Sequence, residues 1–468
     1  MDFQPVLLWT DLLLFVLVAG ALLMTLHVRR HEPLRAAWRK VGKRPAGMAS
    51  MTVLLAFVVI GLLDSMHFRA ALPPVEGQPD AATIYSSEVL SVLDHALAPL
   101  RLRTEKTYSA PFADRLYQRE TVELAGGGQT RIYPRLEHGG SHLPEGASIA
   151  ADLAQHLVTI VSYAGIAMLA VLTMLILAVG RGRQGRYGDA LRAILCGHTT
   201  LAWRAALVTT ALLALLVAAA YVLAPLYHVI GTDKVGQDVL YLSLKSVRTA
   251  LVIGTITTLV MLPFAVALGI AAGYLGGWVD DAIQYLYTVL NAIPGVLLIA
   301  AAVLMMQVVI DTHPDWFETA AERSDARLLA LCFILGITSW TGLCRLLRGE
   351  TLKLRELEYV QAARAFGAST ATILRRHILP NVMHIVMIAL VMDFSGLVLA
   401  EAVLSYVGIG VDPTTISFGT MINMARAELA REPMVWWSLA AAFAFMFVLV
   451  LAANLFADVV RDAFDPRR

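Results

Sequence analysis

Apolar runs of about 20 residues alternate along the chain with short charged segments, a pattern that predicts helices crossing a membrane repeatedly. The runs fall at 6–27, 46–66, 157–179, 203–226, 249–272, 282–310, 328–347, 381–403 and 436–458, giving nine spans. One long polar stretch, 68–150, interrupts them. It opens with Leu72-Pro73-Pro74, Gly77 and Pro79, which read as linker. Residues 86–98 then have helical spacing, and Gly126-Gly127-Gly128 between 121–124 and 130–133 predicts a hairpin. The expectation is an all-α polytopic membrane protein carrying one small α+β module.

Basic residues give the spans a direction. Arg29, Arg30, Arg35, Arg39, Lys40, Lys43 and Arg44 crowd the segment after the first span, which places it inside and the N-terminus outside. Arg181, Arg183, Arg186 and Arg192 follow span three, and the tail after span nine ends Arg467-Arg468, so both are assigned to the inside. The module at 68–150 and the acidic loop holding Asp311, Asp315, Glu318, Glu322 and Asp325 then fall outside. Met1-Asp2-Phe3-Gln4 has no basic n-region, so the first run is not a cleavable signal.

Composition narrows the chemistry. The 468 residues are 58% hydrophobic and 16% charged with a net charge of +1, so no nucleic-acid partner is implied. Cys196, Cys332 and Cys344 have no metal-ligand spacing and read as small buried hydrophobes. His138 and His142 are four residues apart, but Gly139, Gly140 and Pro144 argue against the helix that would put them on one face, so no metal site is expected. No G-x-x-x-x-G-K-[ST] pattern occurs, so an ATP-driven process would need its ATPase on a separate subunit. No catalytic residue is expected.

The most informative polar island lies between spans seven and eight. Glu358-Tyr359-Val360-Gln361-Ala362-Ala363-Arg364-Ala365-Phe366-Gly367 runs on to Leu379-Pro380-Asn381. The alanines favour helix and leave room for another surface to approach. Gly367 stands where a helix end needs a left-handed residue. Ser369 can cap a second short helix carrying Arg375 and Arg376, and Pro380 suits the first turn of the next span. The stretch predicts a compact helix–turn–helix docking knob.

This island resembles the EAA loop of ABC importer permeases, a pattern of Glu-Ala-Ala, three residues, Gly, a spacer and Ile-x-Leu-Pro. Here the triplet is Gln361-Ala362-Ala363, the glycine is Gly367, and Leu379-Pro380 closes the motif; Gln361 replaces the usual Glu and His377 the usual Ile. Further stretches resemble the dipeptide, oligopeptide and nickel branch of that family. They are His228-Val229-Ile230-Gly231-Thr232-Asp233 with Gly236-Gln237-Asp238 (Gln237 standing for the family's Arg), Gly273 to Asp280, Ala292-Ile293-Pro294, Glu401 to Val411, and 413–423.

The resemblance implies a six-span type I permease core over 204–468 with a coupling loop at 349–380. Three extra spans precede it, within 1–67 and 151–203, together with the module at 68–150. It implies a bacterial inner-membrane subunit that carries no cofactor of its own, since ATP and Mg belong to two cytoplasmic ATPase subunits. A second homologous permease, an extracytoplasmic substrate-binding protein, a peptide-like solute and membrane lipid complete the implied partners. Glu358, Gln361, Ala362, Ala363, Arg364, Gly367, Leu379 and Pro380 are the implied ATPase-coupling residues.

Three residues are candidates for the translocation path. Asp393 lies mid-span, where a carboxylate costs roughly 2.5–3.5 kcal/mol and should face protein or water. It reads either as a path residue favouring cationic substrates or a peptide amino terminus, or as half of a structural pair. Pro294 reads as a packing kink within span six or as a substrate contact, and Glu401 as an orderer of the loop that follows it. Asp64 and Asp458 sit at span ends, where solvation is cheap. An ion-driven secondary transporter, a membrane scaffold, and nickel or opine cargo remain as alternative readings.

Overall fold

The computed structural model describes residues 3–72, 85–123, 129–144, 146–181 and 187–464. In chain order, β1 (Phe3–Val6) leads into α1 (Trp9–Arg30), α2 (Glu32–Lys43) and α3 (Pro45–Asp64). Then come β2 (His67–Ala70), β3 (Leu90–Ser91), α4 (Val92–Ala96), α5 (Ala98–Leu102), β4 (Glu120–Glu123) and β5 (Gln129–Ile132). Next are α6 (Ile149–Arg181), α7 (Tyr187–Cys196), α8 (Trp203–Leu223), α9 (Val239–Leu275), α10 (Gly277–Ala292) and α11 (Gly295–Thr312). The chain continues with α12 (Ala320–Ser339), α13 (Thr341–Arg355), α14 (Glu358–Ala365) and α15 (Thr370–Ile373). A π turn (Leu374–Ile378) opens α16 (Leu379–Val407), and α17 (Phe418–Glu428) and α18 (Trp437–Phe464) finish it.

Nine helical segments among the described residues are long and apolar enough to cross a membrane, one for each span expected from hydropathy. Span six differs from expectation. Pro294 does not sit inside a kinked helix; it separates α10 from α11, and only Gly295–Thr312 has the composition of a span. Proline disfavours helical backbone in the residue before it, and Ile293 is accordingly extended (φ −87°, ψ 131°). Pro263, by contrast, lies inside an unbroken α9.

The chain divides into two compact units. The first comprises Met1–Val6, Trp38–Arg248 and Ile416–Ala452. Its antiparallel sheet has the order β1-β2-β3, with Phe3 opposite Ala70 and His67 opposite Ser91. The helix expected over 86–98 begins only at Val92. Ser91 is extended, and it forms a capping box with Asp94 that fixes the start. The expected hairpin is present as β4 and β5, with Glu120 opposite Ile132; its glycine turn lies outside the described residues. The linker expected from Pro73 onward also lies outside them.

A buried polar network joins this unit's module to the segment before α9. The Glu105 carboxylate accepts the backbone N–H groups of Glu137 (3.0 Å), His138 (2.9 Å) and Gly139 (3.1 Å), and meets His228 Nε2 at 3.3 Å. His228 Nδ1 lies 2.8 Å from Asp238, whose other oxygen accepts the Leu240 N–H at the start of α9. Gly236 allows the closest approach. Its φ is +78°, and a Cβ there would overlap the Glu105 backbone. Lys245 is held between Asp64 (2.7 Å) and Asp94. Asp64 is therefore buried and paired, not solvated at a span end.

The second unit comprises Leu7–Ala37, Thr249–Thr415 and Ala453–Arg468. Helix α1 has no side-chain cap of its own. Asp325 of α12 supplies one, accepting the Thr10 N–H at 3.1 Å and the Thr10 hydroxyl, which satisfies donors a helix start leaves open. The core of this unit gathers around α9 and α13. Gly269 and Gly273 let α9 lie directly on α13: a Cβ at Gly273 would come 2.6 Å from Thr351 Cβ and 2.7 Å from the Arg348 carbonyl oxygen. Small residues one turn apart permit such close backbone packing in membranes.

Candidate functional site

The candidate site is the surface presented by α14 and the turn that follows it. Eight residues do not hold a helix in water on their own. Val360 anchors this one, 2% exposed among Leu343, Leu347, Ile373, Ile378 and Val382, with Ala363 one turn on packed against the same cluster. Burying such a side chain contributes roughly 1.5–3 kcal/mol. The opposite face stays open: Glu358, Tyr359, Gln361, Ala362, Arg364 and Gly367 are exposed.

The helix ends as its sequence predicts. Gly367 has φ +78°, its N–H donates to the Arg364 carbonyl (3.0 Å), and the Ala368 N–H donates to the Ala363 carbonyl (3.1 Å). This is the paired Schellman pattern that turns a chain sharply out of a helix. Ser369 then accepts the Thr372 N–H at 3.3 Å and starts α15.

The second helix differs from expectation. Arg375 and Arg376 lie not on a separate short helix but in the π turn that runs without a break into α16. Pro380, in the first turn of α16, has no N–H and its ring crowds the preceding turn; the wider π turn absorbs both. Leu379, half-buried, packs against the cluster below.

Two departures from the motif have local explanations. Gln361 Nε2 donates to the Glu356 carbonyl at 3.2 Å, a bond to the end of α13 that a carboxylate could not make. The His377 ring lies 5.9 Å from the Tyr359 ring, and Asn381 Nδ2 bridges the Tyr359 hydroxyl (3.1 Å) and the His377 carbonyl (2.6 Å). These contacts tie α14 to the base of α16.

The helices beneath are braced by charge. Arg348 of α13 makes a two-pronged contact with Asp280 of α10 (2.5 and 2.7 Å), and this hydrogen bonding holds the Asp280 carboxyl below the usual carboxylate range despite burial. Arg355 approaches the Tyr274 carbonyl at the end of α9 (3.4 Å). These contacts and the shared apolar cluster connect α14 with α9, α10, α13 and α16.

Phe366 is the residue the sequence reading passed over. It stands at the tip of α14, 91% exposed. Its neighbours by sequence could have flagged it, because an aromatic side chain just before a left-handed glycine cannot turn back under its own helix.

The path candidates lie apart from this surface. Asp393, half-buried on α16, makes no hydrogen bond or ion pair among the described residues. Glu401 is 1% exposed and accepts the Ser405 hydroxyl at 2.6 Å; Ser405 in turn accepts the Val411 N–H, which orders the loop after α16. Pro294 marks the α10–α11 break. His138 serves through its backbone N–H, and His142 meets Asp152 at 3.1 Å.

A helical chain with nine candidate spans among the described residues and a small exposed knob between two of them defines the class of polytopic membrane proteins. The model of the family described as "binding-protein-dependent transport system inner membrane component" matches residues 265–468. The oligopeptide transport system permease protein OppC of Mycobacterium tuberculosis is 30% identical over 282 residues, covering 56% of this chain and 90% of that protein. The glutathione transport system permease protein GsiD of Pectobacterium atrosepticum is 34% identical over 242 residues, covering 51% and 73%. An inward-facing structure of the MetNI methionine ABC transporter covers 48% of this chain and 97% of its own at 15% identity; with a TM-score of 0.37, it adds nothing further. The chain belongs to the binding-protein-dependent inner membrane component family, as a permease subunit of an ABC importer. It is accordingly a multi-pass membrane protein whose ATPase is a separate subunit.

Proposed function

We propose that this permease imports peptides or similar small solutes across a bacterial inner membrane, and that α14 is where ATP hydrolysis acts on it. The observation that carries this reading is an apolar side chain, Phe366, held in the open by a helix whose inner face is fixed by Val360. Large aromatic side chains on a rigid support are the kind of residue that anchors a protein–protein interface. The named relatives, permeases for oligopeptides and glutathione, support the cargo class.

In this reading a binding protein delivers solute from outside, and a second, homologous permease completes the path. Two cytoplasmic ATPase subunits grip the Glu358–Gly367 stretch and its counterpart. The basic segments after α1 and α13 favour an arrangement with the knob and the C-terminus inside and the N-terminus outside. Asp393 lines the path and attracts the amino terminus of a peptide or a cationic side chain. Its lack of a partner among the described residues favours this over a structural pair within the chain. Asp393→Asn is then expected to lower uptake of cationic peptides relative to neutral ones.

The test of the coupling reading is co-purification in mild detergent with Phe366→Ala. An interface anchor is worth 2 kcal/mol or more, about 30-fold in affinity. The variant should lose the ATPase to that extent while keeping the second permease and the wild-type melting temperature. Undiminished ATPase recovery with Phe366→Ala would refute the assignment.

A further inference from the structure

We propose that the groove where α3 and α8 begin binds the headgroup of an anionic phospholipid. This groove, of about 740 Å³, lies within the first unit and is lined by Lys43 and Pro45 on one side and by residues 197–205 on the other. It holds Lys43, His198 and Arg204 and no carboxylate. Neither Lys43 nor Arg204 makes an ion pair among the described residues, and both are exposed. Elsewhere in this unit a cation that enters a cleft is neutralised within the chain, as Lys245 is by Asp64 and Asp94. Here two cations converge and no carboxylate among the described residues pairs with either.

The groove has a built floor. The Ala202 N–H donates to the Gly42 carbonyl at 2.8 Å, and a Cβ on Gly42 would come 2.6 Å from Leu201 Cδ2, so the two walls are stitched together by backbone. Both walls lead directly into membrane helices, α3 from Pro45 and α8 from Trp203. That junction lies at headgroup depth, where Trp side chains concentrate, and Trp203 lines the groove. Basic pockets between spans at such a level suit phosphate headgroups, whose acyl chains continue down the apolar sides of the helices. The α8 residues Val208, Leu212 and Leu216 present that apolar side, well exposed. The inward placement of this end rests on the orientation proposed above.

The test is lipid retention measured by native mass spectrometry on full-length protein equilibrated with phosphatidylglycerol or with phosphatidylcholine. Wild type should retain phosphatidylglycerol preferentially. Two basic contacts of about 1 kcal/mol each imply that Lys43→Ala/Arg204→Ala weakens this retention about 30-fold. The charge-conserving pair Lys43→Arg/Arg204→Lys should keep it, which separates charge from misfolding. Equal retention of both lipids by wild type, or phosphatidylglycerol retention unchanged in the alanine pair, would overturn the proposal. So would full displacement by inorganic phosphate, which would identify a free-anion site instead. Orientation is read separately. Cys196 is exposed beside the groove while Cys332 and Cys344 are buried, so a membrane-impermeant maleimide should label sealed vesicles only when they are inverted. Labelling of right-side-out vesicles would sink the orientation and leave the retention result standing.

Discussion

At the scale of single residues, the charged contacts that matter most sit outside the membrane, around His228. Burial opposes its charge, but hydrogen bonds to Asp238 and Glu105 outweigh that and push it up to about 9, from an ordinary 6.5. Burial likewise opposes the charge of Glu105, and the bonds from His228, Gly139, His138 and Glu137 bring it down to about 2, from 4.5. A group raised in the folded state stabilises fully below its unfolded value and loses that contribution as pH climbs through the folded one; a depressed carboxyl does the reverse. Both contributions are therefore whole between about 4.5 and 6.5, and the one from His228 fades as pH rises through about 9. The thermal midpoint of the wild-type protein should fall between pH 7 and 9.5. In His228→Gln the midpoint should start lower and change less over that range. A wild-type midpoint that stays level to pH 9.5 would show that the network does not hold the module in place.

At the scale of elements, the contact of α9 with α13 is one of those that connect the knob to the membrane body. Gly273→Leu must displace Thr351 or the Arg348 backbone, and overpacking of this kind costs about 1–3 kcal/mol. Its melting temperature should drop and ATP-driven uptake should fall with it. Gly342→Leu, on α13 but facing open space, should leave both near wild type; equal losses from the two would mean that any bulky residue in the region is harmful.

The same pair illustrates what the sequence revealed. Gly269 and Gly273 stood visibly one turn apart, but their partner surface on α13 lies some seventy residues further along the chain and no local pattern points to it. Hydropathy located all nine spans yet undersized α6 and α9, which run to 33 and 37 residues. Polar residues such as Lys245 and Arg248 are accommodated in the helix because Asp64, Ser65 and Asp94 satisfy them. Within the knob, the Gly367 turn, the Ser369 cap and the early Pro380 were readable because each is settled by neighbours in sequence. The Tyr359–Asn381 tie was not, because it depends on what packs beneath.

At the scale of the whole molecule, the question is whether the first 200 residues are an ornament or a working part of the permease. The Mycobacterium tuberculosis relative matches 56% of this chain over 90% of its own length, so that match leaves most of the extension without a counterpart. The core is nonetheless built to receive it. Without residues 1–203, Asp325 loses Thr10, His228 loses Glu105, and Lys245 loses both of its carboxylates. Removing one partner of a buried ion pair typically costs 3–5 kcal/mol, because the other charge is left unanswered. A chain of residues 204–468 alone should therefore accumulate poorly, melt well below the full protein and fail in uptake. None of these contacts is covalent, so residues 1–203 supplied as a separate chain should restore accumulation. A triple variant carrying Asp64→Asn, Asp94→Asn and Glu105→Gln in the full chain should reproduce part of the loss. If the core alone matched the full protein in melting and uptake, these contacts would have to be judged incidental. Rescue in trans that the triple variant abolished would instead assign the extension's structural role to those three carboxylates.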